Sequence, residues 1–252
     1  MANRKILVTG SSRGIGRAVA RAFAEAGDTV AIHHRDSPGL AAQVLASLPG
    51  DGHVVVQADI ADPQAVQTMV DSAADQLGGL DVLVNNAASY GRSAHPVSEV
   101  SYEHWQQVWR DTIDLNLIGA ANVTWCAVQH MIAGGGGRIV NVSSRGAFRG
   151  EPGQPAYGAS KAGLNALGQS LAVALAPHNI TVAAVAPGFV ETDMAAAHLA
   201  GASGAAIRAQ SPFGRVAQPE EIAAAVVFLA SPQAGWASGA ILDLNGASYL
   251  RT

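Results

Sequence analysis

Short β-branched runs alternate with longer alanine-rich stretches along all 252 residues. The runs predict strands over Lys5 to Thr9, Thr29 to His34, His53 to Gln57, Asp81 to Asn85, Arg138 to Ser143, Ile180 to Val185 and Ala240 to Leu244, with helix-length segments between them. Several runs are almost wholly apolar, among them Ile6-Leu7-Val8 and Val182-Ala183-Ala184-Val185-Ala186. Strands of that kind belong to parallel sheets covered on both faces. No linker, repeat or charge block interrupts the rhythm, so residues 1–252 read as a single α/β domain: a doubly wound parallel sheet of about seven strands with helices on both faces. Ligands of such sheets lie beyond the carboxyl ends of the strands, so chemistry is expected just after each strand.

The first such position carries Thr9-Gly10-Ser11-Ser12-Arg13-Gly14-Ile15-Gly16, opening into a helical stretch from Arg17 to Ala26. Glycines let the backbone turn tightly and approach a pyrophosphate, and a helix start offers free N–H donors and a favourable dipole. The spacing Gly-x-x-x-Gly-x-Gly is a variant of the Gly-x-Gly-x-x-Gly fingerprint. Its place between a strand and a helix is the context a dinucleotide site requires, against the plainer reading of a glycine-rich turn. Gly10, Ser12, Arg13, Gly14, Ile15 and Gly16 are therefore candidate cofactor residues of a Rossmann fold. About twenty residues on, where an acid would hold the ribose of NAD, the second strand ends in His34, followed by Arg35 and Asp36. Arg13 and Arg35 could converge on a 2′-phosphate, which favours NADP(H) over NAD(H); the alternative is two solvated surface charges.

Tyr157 and Lys161 stand four apart in Tyr157-Gly158-Ala159-Ser160-Lys161, on one face of a predicted helix. A phenol with a pKa of about 10 transfers protons poorly at neutral pH. An ammonium about 4 Å away would favour the phenolate by roughly 4 kcal/mol at an effective dielectric near 20. The spacing alone also arises by chance in helices, and the neighbours strengthen it. Ser143-Ser144 follows the fifth predicted strand and places a hydroxyl where it could donate to a substrate carbonyl. Asn116 sits among apolar residues in a helical stretch, where a polar side chain needs a hydrogen-bonding reason.

Composition narrows the field. With 49% hydrophobic and 13% charged residues the chain can bury a full core. Lysine and arginine number 15 against 19 acids and no basic block exceeds Arg4-Lys5, so no nucleic-acid footprint is visible. The one cysteine, Cys126, cannot form an internal disulfide, which makes the cytoplasm the default compartment. Apolar runs such as Ala223 to Ala230 fall short of the roughly 18 residues of a membrane span. Five basic residues precede the first acid and superficially resemble a transit peptide, but cleavage there would remove the glycine-rich loop. The histidines show no metal-ligand spacing, so no metal is expected.

In order and spacing, Thr9-Gly10-x-x-x-Gly14-x-Gly16, Asn85-Asn86-Ala87, Asn116, Ser144, Tyr157-x-x-x-Lys161 and Pro187-Gly188-x-Val190-x-Thr192 resemble the short-chain dehydrogenase/reductase family from the first strand to nearly the last. Pro212-Phe213-Gly214-Arg215 with Pro219-Glu220-Glu221-Ile222 resembles its 3-oxoacyl-(acyl-carrier-protein) reductase-like branch, which is chemically diverse. The resemblance implies NADP(H)-dependent interconversion of a ketone and a secondary alcohol. Its leading substrates are 3-oxoacyl thioesters, with sugars, steroids or polyketide intermediates as the alternative. Tyr157 is implied as general acid or base, Lys161 as the group that lowers its pKa and binds the nicotinamide ribose, Ser144 as the hydroxyl that orients the carbonyl, and Asn116 as holder of a relay water. Asp59 and Ile60 would meet the adenine, Asn86 and Ala87 the adenosine ribose, and Pro187, Gly188, Val190 and Thr192 the nicotinamide. A homotetramer is implied as well, through Trp105 to Met131, Ala156 to Ala176 and the C-terminal strand. The chain departs from the family at Ala88, where glycine is frequent, and at Asp243-Leu244-Asn245-Gly246, where Asp-Gly-Gly is. Competing readings are a dinucleotide-binding scaffold without turnover, disfavoured by the intact set of four catalytic positions, and a nucleotide-sugar epimerase or dehydratase, disfavoured by the short C-terminal region.

Tyr90, His95, Arg145, Phe148, Arg149 and Glu151 follow the fourth and fifth strands and are candidates to line the substrate pocket. The two arginines read either as anion recognition or as solvated loop charges. Met194 to Gly204 reads as a lid. Trp105 and Trp109 read as packing or a subunit contact, and Cys126 as a buried helix residue.

Overall fold

Alternation within the first strand divides the core in two: Ile6 and Val8 face one hydrophobic layer and Leu7 the other. The computed structural model describes residues 3–90, 94–200 and 203–251, with Met194, Ala197 and His198 described by their backbone alone. Its strands are β1 (Lys5–Val8), β2 (Thr29–His34), β3 (Val54–Gln57), β4 (Val82–Asn85), β5 (Gly137–Val142), β6 (Ile180–Pro187) and β7 (Ile241–Leu244). They form one sheet in the order β3-β2-β1-β4-β5-β6-β7, every pair parallel. Strand order reverses between β1 and β4, and that reversal opens a crevice above their carboxyl ends.

The helices are α1 (Gly14–Glu25), α2 (Pro38–Ser47), α3 (Pro63–Leu77), α4 (Tyr102–Ile113), α5 (Ala120–Ala133), α6 (Pro155–Leu175), α7 (Asp193–Ala200), α8 (Gly204–Arg208) and α9 (Pro219–Leu229). From α1, α2 and α9, the side chains of Val19, Phe23, Val44 and Val226 pack with Ile6, Val8 and Ile32. From α3, α5 and the end of α6, Val66, Val70, Val123 and Leu175 pack with Leu7, Leu83 and Ile139 on the opposite face. Each fully buried side chain of this size contributes about 1.5–3 kcal/mol relative to exposure. The ends of α3 are written locally: Asp62 accepts from the N–H groups of Gln64 (2.9 Å) and Ala65 (3.2 Å), Pro63 pre-sets the first turn, and Gly78 closes the helix at φ 75°.

One stretch departs from the expected continuous helix. Asp114–Gly119, between α4 and α5, is a π-helical turn. A Cβ on Gly119 would lie 2.6 Å from the Ile60 carbonyl oxygen, so glycine is what lets this turn press against the loop after β3. Asn116 lies inside it.

Candidate active site

Backbone geometry builds the phosphate end of the crevice. Gly10 and Gly14 take the left-handed conformation, φ 64° and 55°, and a Cβ on Gly10 would stand 2.9 Å from the Ala87 Cα. A Cβ on Gly16 would fall on the Gly10 carbonyl oxygen and on Asn86 Nδ2. The loops after β1 and β4 interlock here. Thr9 Oγ1 accepts from the N–H groups of Asn86 and Ala87, both at 3.0 Å, while Asn86 Nδ2 donates to the carbonyls of Thr9 (2.8 Å) and Gly10 (3.0 Å). Asn86 thus braces the glycine loop, and the two loops meet beside each other as a dinucleotide needs. Arg13, at the start of α1, offers no side-chain cap, and the first turn holds no acid. Its leading N–H groups are not claimed by a side chain and favour an anion. The close glycine approaches and this open helix start fit a pyrophosphate.

His33 was not anticipated. It is 2% exposed, its Nδ1 accepts from Gly10 N–H at 2.8 Å, and Nε2 lies 3.1 Å from the Ala58 carbonyl. An acceptor at Nδ1 fixes the proton on Nε2, so the ring is a neutral strut between the glycine loop and the end of β3. Burial pulls its pKa down to about 4. Nothing in the sequence except the polar His33-His34 pair inside an otherwise apolar strand hinted at it. At the adenosine end Arg13 and Arg35 are exposed, and Arg35 Nη2 is paired with Asp36 Oδ2 at 2.9 Å. Asp59 is exposed and accepts from Ala61 N–H at 3.0 Å, with Ile60 buried beside it.

The reacting end gathers around the carboxyl end of β5. Ser144 caps a short 3₁₀ turn, Arg145–Ala147, its Oγ accepting from Gly146 N–H at 3.0 Å, and a Cβ on Gly146 would stand 3.3 Å from that Oγ and 3.8 Å from Tyr157 Cδ1, so the two side chains flank this glycine. Lys161, 2% exposed, donates from Nζ to the Val142 carbonyl at 2.8 Å and lies 5.8 Å from the Tyr157 ring centroid. Burial dominates both groups: it raises Tyr157 to about 12, against the opposing pull of nearby Ser144, and lowers Lys161 to about 8. In this arrangement the Lys161 ammonium is turned to the Val142 carbonyl, and burial is the main influence on the phenol. Asn116 Oδ1 accepts from Ser89 N–H at 2.8 Å, and its Nδ2 faces the Ser89 carbonyl (2.9 Å) and Ser160 Oγ (3.2 Å). It joins the loop after β4 to α6 beside Lys161. Pro187 ends β6, Gly188 packs on Asn245, Val190 bridges to Ala217, and Thr192 meets Gly14 across the crevice.

A family profile described as enoyl-(acyl carrier protein) reductase matches residues 10–246. A 3-oxoacyl-(acyl-carrier-protein) reductase FabG from Staphylococcus aureus is 38% identical, the match covering 98% of each chain. The chain belongs to the short-chain dehydrogenase/reductase family. It is 40% identical to a cis-4-hydroxycyclohexanecarboxylate dehydrogenase of Sinomonas cyclohexanicum over 97% of this chain and 96% of that one. The crystal structure of a short chain dehydrogenase from Burkholderia cenocepacia in complex with NADP superposes with a TM-score of 0.88 at 35% identity, covering 97% of each chain.

As a short-chain dehydrogenase/reductase the protein is an oxidoreductase, and its remaining pocket candidates divide sharply. Tyr90 packs edge-on against Tyr157, ring centroids 4.8 Å apart. His95 is instead fully buried behind the site: Nε2 accepts from Ala156 N–H at 3.2 Å, at the start of the helix that carries Tyr157. Phe148 lies under the Arg251 guanidinium, 4.2 Å from its ring centroid. The Trp105 and Trp109 rings meet at a tilt, centroids 5.5 Å apart, and Cys126 is buried and free, as packing residues are. The lid segment, Met194 to Gly204, takes in nearly all of α7 and ends at the first residue of α8, while Gly201 and Ala202 and the side chains of Met194, Ala197 and His198 lie outside the described residues. A cavity of about 360 Å³ separates it from Gly14 and Arg17 of α1. Among the described residues no helix is long and apolar enough to cross a membrane, and no group of three potential metal ligands forms.

Proposed function

We propose that this short-chain dehydrogenase/reductase, a single domain that both binds the dinucleotide and catalyses, reduces a ketone to a secondary alcohol reversibly with NADP(H), with 3-oxoacyl thioesters the leading substrate class. The observation that carries the reading is that Ser144 and Tyr157 flank Gly146 at the end of β5 with Lys161 buried behind them. When bound, the nicotinamide supplies or accepts the hydride. Ser144 Oγ and Tyr157 OH present two donors to one carbonyl oxygen, and Tyr157 passes its proton to that oxygen as the alcohol forms. A phenol held near 12 is protonated at neutral pH and so is ready for reduction. Lys161 places positive charge behind the phenolate and reaches the nicotinamide ribose. The π turn that carries Asn116 interrupts the regular helix beside Lys161, which suits it to hold a water between Lys161 and solvent. Gly10, Ser12, Gly14, Ile15 and Gly16 cradle the pyrophosphate; Asp59, Ile60, Asn86 and Ala87 flank the adenosine; Pro187, Gly188, Val190 and Thr192 seat the nicotinamide.

Arg13 and Arg35 would read the 2′-phosphate, and the relative crystallised with NADP supports that preference. The relatives named as 3-oxoacyl reductases support the thioester. Another carbonyl is the second reading, favoured by the buried arginine described below. Exposed apolar side chains on α5 and α6 (Trp125, Val173) and around β7 (Phe228, Trp236, Leu242) support a homotetramer that would cover them. Light scattering after gel filtration checks it. We place the protein in the cytoplasm.

The test follows NADPH oxidation with a short 3-oxoacyl thioester for wild type and Tyr157→Phe. Turnover falling by at least about a hundredfold in the variant, with NADPH binding unchanged, is the expected result. Near-wild-type turnover in the variant overturns the assignment.

A further inference from the structure

Beside the reacting groups lies a buried cation that the proposed hydride transfer leaves unused. Arg145, the residue after Ser144, is 3% exposed, so it is not one of the solvated loop charges that the sequence allows. Its Nη1 donates to Ser248 Oγ at 2.7 Å and its Nη2 to Gln210 Oε1 at 2.6 Å, both neutral acceptors. Its guanidinium covers Phe189, 5.1 Å from the ring centroid, and Phe189 directly follows Pro187-Gly188. Among the described residues the carboxylate within ion-pair reach is Glu151, at 3.8 Å, too far for a hydrogen bond. Arg149 Nη1 donates to the same Gln210 Oε1 at 3.0 Å. Two guanidinium groups therefore converge on one uncharged amide oxygen, with one carboxylate nearby.

That arrangement is costly as it stands and fits an absent anion. Removing a guanidinium from water is repaid only by close, well-paired negative charge. A carboxylate accepts from arginine with shorter and roughly twice stronger hydrogen bonds than a neutral amide does. The oxygen of Gln210 occupies the place such an anion would take. A cavity of about 250 Å³, bordered by Arg145, Phe189, Ile207, Phe213 and Ser248, adjoins it. A Cβ on Gly146 would meet Ser144 Oγ (3.3 Å), Glu151 Cγ (3.5 Å) and Tyr157 Cδ1 (3.8 Å), so the Arg145–Glu151 pair adjoins the reacting groups.

We propose that Arg145, with Arg149 beside it, is the specificity residue for a ketone or secondary-alcohol substrate bearing a carboxylate, whose oxygens displace Gln210 from the guanidinium pair. The inference rests on the hydride-transfer reading above and names a substrate class for it.

Acetoacetate and levulinate are compared with their methyl esters in NADPH oxidation. Wild type is expected to favour the acids, and Arg145→Gln to raise KM for the acids by about tenfold to a hundredfold while esters stay within about twofold. Gln210→Glu, which supplies the pair with an internal carboxylate and removes no packing, is expected to raise KM for the acids alone. It keeps the test decisive where Arg145→Gln folds poorly. A parallel calorimetric titration of NADPH-loaded Tyr157→Phe protein with levulinate, with and without Arg145→Gln, reads binding apart from turnover. Arginine-dependent levulinate binding without turnover of any ketone would support the anion site and defeat the hydride-transfer reading. Turnover of esters and thioesters with no preference for acids, or equal losses on acid and ester in Arg145→Gln, would overturn the anion site and leave Arg145 a strut of the loop.

Discussion

On the β1 to β3 side of the crevice the site is shaped by backbone: glycines at close approach, an open helix start, and carbonyls of Thr9 and Gly10 held by Asn86. On the β5 to β7 side it is shaped by long side chains from segments far apart in the chain, where Arg145 meets Gln210 and Ser248, and Arg251 covers Phe148. The difference has a physical basis. A pyrophosphate is the same in every dinucleotide, and N–H groups fixed by glycine geometry serve it without loss of side-chain entropy. A substrate differs from enzyme to enzyme, and side chains on loops can be exchanged without disturbing the sheet.

The sharpest way to break the comparison is a single methyl group on the backbone side. A Cβ on Gly16 would collide with the Gly10 carbonyl and Asn86 Nδ2, both tied into the loop pair. Overpacking against fixed backbone reaches about 3 kcal/mol, so Gly16→Ala is expected to weaken NADPH binding by about a hundredfold or more. Fluorescence titration reads this directly. A side-chain truncation at Phe148, by contrast, should leave that titration unchanged; equal losses would show that the two sides are not independent.

His33 sharpens the same point, because it is a buried side chain on which the glycine loop leans. Its pKa is lowered to about 4, so its neutral form is the folded one. The stability this represents is complete above the unfolded value of about 6.5 and is lost as pH falls toward 4, because the unfolded chain gains a proton that the folded ring refuses. Across that window the loss is about 3 kcal/mol. In His33→Asn the slope of urea midpoint against pH between 7 and 4 should be shallower than in wild type by that amount. Parallel slopes would show that His33 does not carry the acid sensitivity.

Legibility followed the same division. All seven strands were readable because parallel, doubly covered strands are written as apolar runs, and the loop Gly10 to Gly16 because its backbone demands leave a glycine signature. Strand ends moved by one or two residues, the furthest being β6, which ran on to Pro187. Asn116, Ser144, Tyr157 and Lys161 could be named, but not that Lys161 turns to Val142, since burial of an ammonium depends on what the fold packs over it. The π turn at Asn116 was hidden because its cause, Gly119 against Ile60, joins residues 59 positions apart. His95 looked like a pocket residue from its place after β4, and only tertiary packing shows it bonded to Ala156. The Arg145 cluster was illegible for the same reason: Gln210 and Ser248 carry no spacing signal that ties them to Ser144.

The smallest expected effect lies at the edge of the backbone-built half, where the cofactor's one variable group is read by side chains. Arg35 is exposed and already paired with Asp36, whose carboxyl is held below its usual range by that hydrogen bond and charge. A 2′-phosphate would compete with Asp36 for the same guanidinium, in water that screens both. The gain from the phosphate is therefore a difference between two anions, not a whole ion pair. Arg35→Ala should raise KM for NADPH about tenfold and for NADH less than about twofold, while Asp36→Asn should move NADPH the other way by about twofold to threefold. Steady-state kinetics with both cofactors at low and high salt measure this. Equal losses on NADPH and NADH in Arg35→Ala would remove Arg35 from phosphate reading, and an unchanged ratio in Asp36→Asn would show that the Arg35–Asp36 pair does not compete.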